Sequence, residues 1–112
     1  MKRAARETRA KIELFTDPRE AVAGAQGVYT DAWTSMGFEA QEKVRNTVFT
    51  PYQVNRELMA LAAPGALFLH CLPAHRGSEV TAEILDGPQS VVLDQSENRM
   101  YAQKAILQAL FG

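Results

Sequence analysis

The chain has 112 residues, 46% of them apolar, and a formal net charge of −1. This length accommodates a single domain. The balanced charge gives no electrostatic reason to expect nucleic acid binding. No apolar run reaches the roughly 18 residues of a membrane-spanning helix, and the charged N-terminus lacks the apolar region of a signal peptide, so we expect a cytoplasmic protein. The single cysteine excludes an internal disulfide, and the two histidines lack the spacing of zinc ligands.

The first half of the chain alternates helical patterns with short strand patterns. We predict a polar helix over residues 2–10 and a strand over residues 12–15. Residues 17–20 combine a capping aspartate, a proline and a glutamate, which predicts the start of a helix. A second strand over residues 27–31 and a short helix over residues 38–45 follow.

The second half of the chain contains the most convincing strand, because residues 66–71 begin with a continuous apolar run typical of a strand buried on both faces. Before it, a helix beginning at Pro51 places Val54, Leu58 and Leu61 on one face. After it, we predict a helical turn over residues 81–85, a strand over residues 90–94 and a closing helix over residues 98–111.

This alternation predicts the α/β class: a small open parallel sheet of about four strands with flanking helices and right-handed crossovers. Two features indicate an incomplete, Rossmann-like domain. The chain opens in a helix without a strand before it. The closing helix carries an apolar stripe that is wide for so small a chain and should pack against further protein. The stripe consists of Met100, Ala102, Ala105, Ile106, Leu107, Ala109, Leu110 and Phe111.

Polar side chains follow the predicted strands. The carboxyl ends of parallel strands share one edge of the sheet, where such folds bind small molecules. We therefore expect one cleft to collect Asp31, Ser35, Cys71, His75, Glu97 and Arg99.

The chemistry of these side chains stays open at this point. Asp31 either caps a turn or pairs with a substrate ammonium. Cys71 is either a small apolar residue or a nucleophile, and His70 points to the opposite face of a regular strand, which leaves Cys71 without an obvious base. Proline has no N–H, so the carbonyls before Pro73 are free to bind a ligand amine. A cation at a helix start opposes the helix dipole, so Arg99 favours an anionic ligand unless the neighbouring glutamate offsets it.

Four motifs follow one another along the chain. They are Thr-Asp-Ala-Trp-Thr-Ser-Met-Gly at 30–37, Tyr-Gln-Val-Asn at 52–55, a segment with His-Cys-Leu-Pro at 68–80, and Glu-Asn-Arg at 97–99. In this order they resemble the ornithine carbamoyltransferases over essentially the whole chain. Aspartate carbamoyltransferases differ at the first and third motifs, and putrescine carbamoyltransferases lack the Ser-Met-Gly loop, so the resemblance favours ornithine.

The resemblance implies transfer of the carbamoyl group of carbamoyl phosphate to the δ-amino group of ornithine. The products are citrulline and phosphate, a step of arginine biosynthesis that uses no cofactor and no metal. Asp31 would hold the α-amino group of ornithine. Ser35 and Met36 would line a loop that closes over ornithine and excludes water.

The carbamoyl phosphate side of the site is implied by the same resemblance. Cys71 and Leu72 would offer backbone carbonyls to the carbamoyl amine, with the Cys71 thiol near the attacking nitrogen. Arg99 would bind carbamoyl phosphate and stabilise charge that develops on the carbonyl oxygen. No covalent intermediate is implied.

The resemblance also predicts what this chain lacks. Residues 1–112 match only the C-terminal part of the ornithine-binding domain, and the N-terminal carbamoyl-phosphate-binding domain is absent. We expect the chain to be inactive alone, because approximation of two substrates is most of what such a catalyst does. The family is usually homotrimeric through the other domain, so the state of this chain is open. The alternatives are a non-catalytic amino-acid-binding module and a self-associating structural fragment.

Overall fold

The computed structural model describes residue 8, residues 10–33 and residues 47–112. This part of the chain is α/β, and none of its helices is long and apolar enough to cross a membrane. Its elements, in chain order, are α1 (Pro18–Val22), β1 (Gly27–Thr30), a 3-10 helix (Thr50–Tyr52), α2 (Arg56–Met59), β2 (Leu67–His70), α3 (Ala82–Leu85) and α4 (Val92–Phe111).

The sheet consists of β1 and β2, which pair in parallel. Gly27 lies opposite Leu67 and Thr30 lies opposite His70. Both strands were predicted from their apolar patterns, and the structure confirms them and their parallel pairing. Because the strands end in register, the residues that follow them lie side by side at the carboxyl edge.

Side-chain caps explain where two of the helices begin. The Asp17 carboxylate accepts the N–H of Arg19 at 2.9 Å, and Pro18 occupies the first helical turn, as the 17–20 pattern predicts. The Asn55 side chain accepts the N–H of Leu58 at 2.9 Å and opens α2. The predicted helical turn over 81–85 is confirmed as α3.

The core packs around Phe68 of β2, whose side chain is fully buried. The other buried apolar residues come from helices α1 to α4 and from the segments between the elements, and they form one cluster. They are Val22, Val54, Leu58, Met59, Ala66, Val80, Ile84, Leu85 and Val92.

The predicted strand over residues 90–94 is wrong. Only Ser90 forms a parallel bridge, to Phe68, where the N–H of Phe68 donates to the Gln89 carbonyl at 2.8 Å. Helix α4 begins at Val92, earlier than predicted, so the second valine of the β-branched pair belongs to the helix and Val91 is its N-cap residue. A sheet of about four strands is therefore not what the described residues form.

The predicted strand over residues 12–15 is also wrong. Residues 11–15 form no regular element, and Leu14 is exposed. An extended segment becomes a strand only when its backbone groups find a partner, and β1 pairs with β2 alone among the described residues.

The predicted helix from Pro51 is divided. A 3-10 turn ends at Tyr52, and Val54 instead bridges Val80, with its N–H donating to the Glu79 carbonyl at 2.9 Å. Val54 and Leu58 are buried as predicted, whereas Leu61 is exposed.

The apolar stripe of α4 lies open in the described structure. Only Val92 of this helix is buried, and the exposed fraction of the Phe111 side chain reaches 84%. The predicted helix over 38–45 and all of 2–10 except Thr8 and Ala10 lie outside the described residues.

Candidate functional site

Asp31 and Cys71 meet where β1 and β2 end. The Cys71 Sγ donates a hydrogen bond to Asp31 Oδ1 at 2.9 Å. The backbone N–H of Ala32 donates to the same oxygen at 2.7 Å. Among the described residues, nothing donates to Asp31 Oδ2, and the side chain is exposed. Within the described part of the chain, Asp31 therefore has one oxygen that accepts hydrogen bonds and one without a partner.

The two side chains shift each other's ionisation in opposite directions. The hydrogen bond from the Cys71 thiol, followed by that from the Ala32 N–H, lowers the pKa of Asp31. The hydrogen bond to the Asp31 carboxylate, followed by burial, raises the pKa of Cys71. The pair consequently consists of a carboxylate and a protonated thiol, which is the wrong state for a nucleophilic cysteine.

Tyr29 belongs to the same edge, and sequence reasoning missed it. It lies two residues before Asp31 and shares its face of the strand. A hydrogen bond involving the Cys71 thiol, followed by burial, raises the pKa of Tyr29, while Gln95 lowers it. The two-residue alternation along β1 was the signal that could have identified it.

Leu72 follows Cys71 with an unusual backbone. Its φ of 57° lies in the left-handed region, and the Leu72–Pro73 peptide bond is cis. The Leu72 N–H donates to His70 Nδ1 at 2.8 Å. The His70 side chain is buried and faces away from Cys71, as the strand alternation predicts.

The other expected residues do not all reach this edge. His75 instead approaches Glu79, with 3.6 Å between Nδ1 and Oε1. Glu97 accepts a hydrogen bond from Tyr101 on the surface of α4. Arg99 lies about two turns after Val92 rather than at the helix start, so the dipole argument made for it is wrong.

Arg99 is exposed and forms no ion pair with the residues that the structure describes. Ser35 and Met36 lie outside the described residues. The structure therefore brings two of the expected side chains together and leaves the loop and the arginine untested.

A cavity of about 650 Å³ opens next to Leu72. Its walls include the exposed Arg76–Asp86 ion pair and Asp94, but neither Asp31 nor Cys71. At the Asp31–Cys71 edge, Asp31 is exposed and Cys71 is half-buried. No group of three potential metal ligands occurs among the described residues.

Comparison with known proteins places the chain in a family. Residues 1–110 match the family model of the aspartate/ornithine carbamoyltransferase Asp/Orn binding domain. The ornithine carbamoyltransferase of Methanothermobacter thermautotrophicus is 61% identical over 106 residues, which cover 95% of this chain and 35% of the relative.

Solved structures agree with the sequence relatives. The ornithine carbamoyltransferase from Pyrococcus furiosus matches with a TM-score of 0.87 and 51% identity over 94% of this chain and 34% of its own. The anabolic enzyme from Campylobacter jejuni matches with a TM-score of 0.90 and 36% identity, over 97% of this chain and 36% of its own. The chain thus spans about a third of the length of these relatives, and it belongs to the ornithine carbamoyltransferase family, through the family's aspartate/ornithine-binding domain.

Proposed function

We propose that this chain supplies the ornithine-binding part of an ornithine carbamoyltransferase, which transfers the carbamoyl group of carbamoyl phosphate to the δ-amino group of ornithine in arginine biosynthesis. The observation that carries the proposal is the meeting of Asp31 and Cys71 at the carboxyl ends of two parallel strands. Ligands of open α/β sheets bind outside this edge.

Asp31 binds the α-ammonium group of ornithine through its available oxygen. Its lowered pKa keeps the carboxylate charged at neutral pH, and exposure leaves it accessible. Hydrogen bonds between charged groups contribute about 1.5–3 kcal/mol, enough to orient an amino acid in the site.

The δ-amine of ornithine is the nucleophile, so no enzyme nucleophile is needed. The amine nitrogen forms a bond to the carbamoyl carbon. The bond from that carbon to the phosphate oxygen breaks, its electron pair leaves with the phosphate, and the phosphate takes up the proton that the amine loses. Cys71 stays protonated because Asp31 raises its pKa, which fits a neighbour of the attacking nitrogen and not a covalent catalyst.

The carbamoyl group is received by the backbone carbonyls of Cys71 and Leu72. Arg99 binds carbamoyl phosphate and stabilises charge that develops on its carbonyl oxygen. The Arg99 side chain is exposed and has no ion-pair partner among the described residues, so it is available for that contact. Ser35 and Met36 lie in a loop that closes over ornithine and excludes water.

A carbamoyl-phosphate-binding domain completes the enzyme. Bringing two substrates into reacting geometry accounts for about 7–11 kcal/mol of a barrier in favourable cases, so the chain alone should form almost no citrulline. Homotrimer formation would belong to that other domain.

A chimera tests the proposal. The matching segment of the 61% identical relative is replaced by this chain, and citrulline formation is measured from ornithine and carbamoyl phosphate. We expect the folded chimera to turn over within about tenfold of the relative, a cost of about 1.4 kcal/mol or less in barrier height. The isolated chain serves as the comparison and should be inactive. A folded chimera without activity, or an isolated chain as active as the relative, would overturn the proposal.

A further inference from the structure

His70 connects the end of β2 to the backbone that follows it. Its Nδ1 accepts the N–H of Leu72 at 2.8 Å, and its own N–H donates to Gln95 Oε1 of α4 at 3.0 Å. A ring nitrogen that accepts a hydrogen bond carries no proton, so the hydrogen-bond partners assign the proton of neutral His70 to Nε2. The imidazole is buried, so water cannot readily substitute for these contacts.

Glu79 lies on the other side of this imidazole and is equally buried. Its Oε1 is 3.3 Å from His70 Nε2, and it accepts the backbone N–H of His75 at 2.6 Å. This approach does not form a hydrogen bond, so His70 Nε2 and Glu79 Oε2 both lack a hydrogen-bond partner among the described residues. The two unpartnered atoms are chemically complementary, because Nε2 carries a proton to donate and the carboxyl oxygen accepts.

Leu72 needs such support. It is the one residue other than glycine with a positive φ in the described part of the chain, and leucine rarely adopts that conformation. Conformations of this kind persist where the surroundings hold them. The bond to His70 Nδ1 is the contact that holds the Leu72 amide.

We propose that His70, braced by buried Glu79, is the positioning residue that fixes the Cys71–Leu72 backbone in the geometry that receives the carbamoyl group. The consequence for catalysis rests on the proposed function, whereas the consequence for the Leu72 amide does not.

Amide hydrogen exchange in the 112-residue chain measures directly how well the Leu72 N–H is held by His70. The exchange rate at Leu72 is divided by that at Phe68, whose N–H donates to the Gln89 carbonyl, so that a general loss of stability cancels. His70→Phe removes the acceptor and should raise this ratio about tenfold. His70→Asn places an oxygen near the position of Nδ1 and should restore most of the protection.

Two further variants test the role of Glu79. Glu79→Gln keeps an acceptor for the His75 N–H and should leave the Leu72-to-Phe68 exchange ratio near the wild-type value. Glu79→Ala removes that acceptor and should raise the ratio. Arg76→Ala is the matched control, since it removes an exposed ion pair from the same loop and should change nothing at Leu72. Nitrogen spectra of the imidazole should place the His70 proton on Nε2.

The same substitutions in the chimera separate this inference from the proposed function. His70→Phe should lower kcat/KM for carbamoyl phosphate by more than about tenfold, a change of about 1.4 kcal/mol, and His70→Asn should recover most of it. The positioning role is overturned if His70→Phe leaves the Leu72-to-Phe68 exchange ratio unchanged. It is also overturned if His70→Phe and His70→Asn lose equal amounts of amide protection at Leu72, or of kcat/KM. If the exchange pattern holds and the wild-type chimera makes no citrulline, the proposed function fails and the positioning of Leu72 stands.

Discussion

At the scale of residues, the site depends on a hydrogen bond between a thiol and a carboxylate. The Cys71 thiol donates to Asp31, which lowers the pKa of the carboxyl and raises that of the thiol. A lone cysteine at a strand end suggests a nucleophile only until its partner is seen. Here the partner is a carboxylate, which opposes formation of a thiolate.

The reactivity of Cys71 follows from this contact. Asp31→Asn removes the negative charge, so the pKa of Cys71 should fall and its thiolate fraction should rise. Alkylation of Cys71 by iodoacetamide at about pH 8, just below the usual thiol pKa, should become several-fold faster. Asp17→Asn is the control, because asparagine also caps α1 and the substitution should leave the Cys71 rate unchanged. An equal or slower rate in Asp31→Asn would contradict the pairing.

At the scale of elements, short helices depend on their caps and on the residues that they bury. Helix α2 spans only Arg56–Met59, yet it carries two core residues, Leu58 and Met59. Its start is fixed by the Asn55 side chain. So short a helix is not stable by itself, and capping and packing together must hold it.

Removal of that cap should therefore destabilise the whole chain. Asn55→Ala should lower the free energy of unfolding by about 1 kcal/mol, measured by urea denaturation. Asn98→Ala, on the exposed surface of α4, should change it by less than about 0.5 kcal/mol because no cap is lost. Equal effects of the two substitutions would show that the Asn55 contact contributes nothing.

The elements also show which parts of the fold can be predicted from the sequence. Both sheet strands were predictable because their apolar residues are continuous or alternate, and parallel pairing then placed Asp31 beside Cys71. The strand predicted over 90–94 failed because Val91 and Val92 favour strand locally while the helix after them extends through Val92. The strand preference of single residues does not show whether they join a strand or the helix that follows them.

The buried His70–Glu79 pair lay beyond prediction for a different reason. Glutamate is rarely buried, and nothing in the sequence near Glu79 indicates that its carboxyl turns inward. Its burial follows from the path of the loop after β2, which brings Glu79 back to the strand end. Tyr29 was missed although strand alternation places it on the Asp31 face.

At the scale of the whole molecule, the exposed face of α4 and the span of the chain relative to its family are the main features. Leu107, Leu110 and Phe111 are exposed on α4, although apolar side chains stabilise a protein most when they are buried. The chain covers about a third of its relatives' length. The short span supports the proposal that a carbamoyl-phosphate-binding domain completes the enzyme, and the exposed stripe agrees with the expectation that α4 packs against further protein.

Replacement of Asp31 in the chimera tests most directly whether this sheet edge binds ornithine. Removing one partner of a charge-assisted contact costs about 2–5 kcal/mol, so Asp31→Ala should lower kcat/KM for ornithine by about 30-fold or more. Glu57→Ala removes an exposed carboxylate from α2 and should leave that value unchanged. If folded Asp31→Ala keeps the kcat/KM for ornithine of the unsubstituted chimera, the Asp31–Cys71 edge is not the ornithine site.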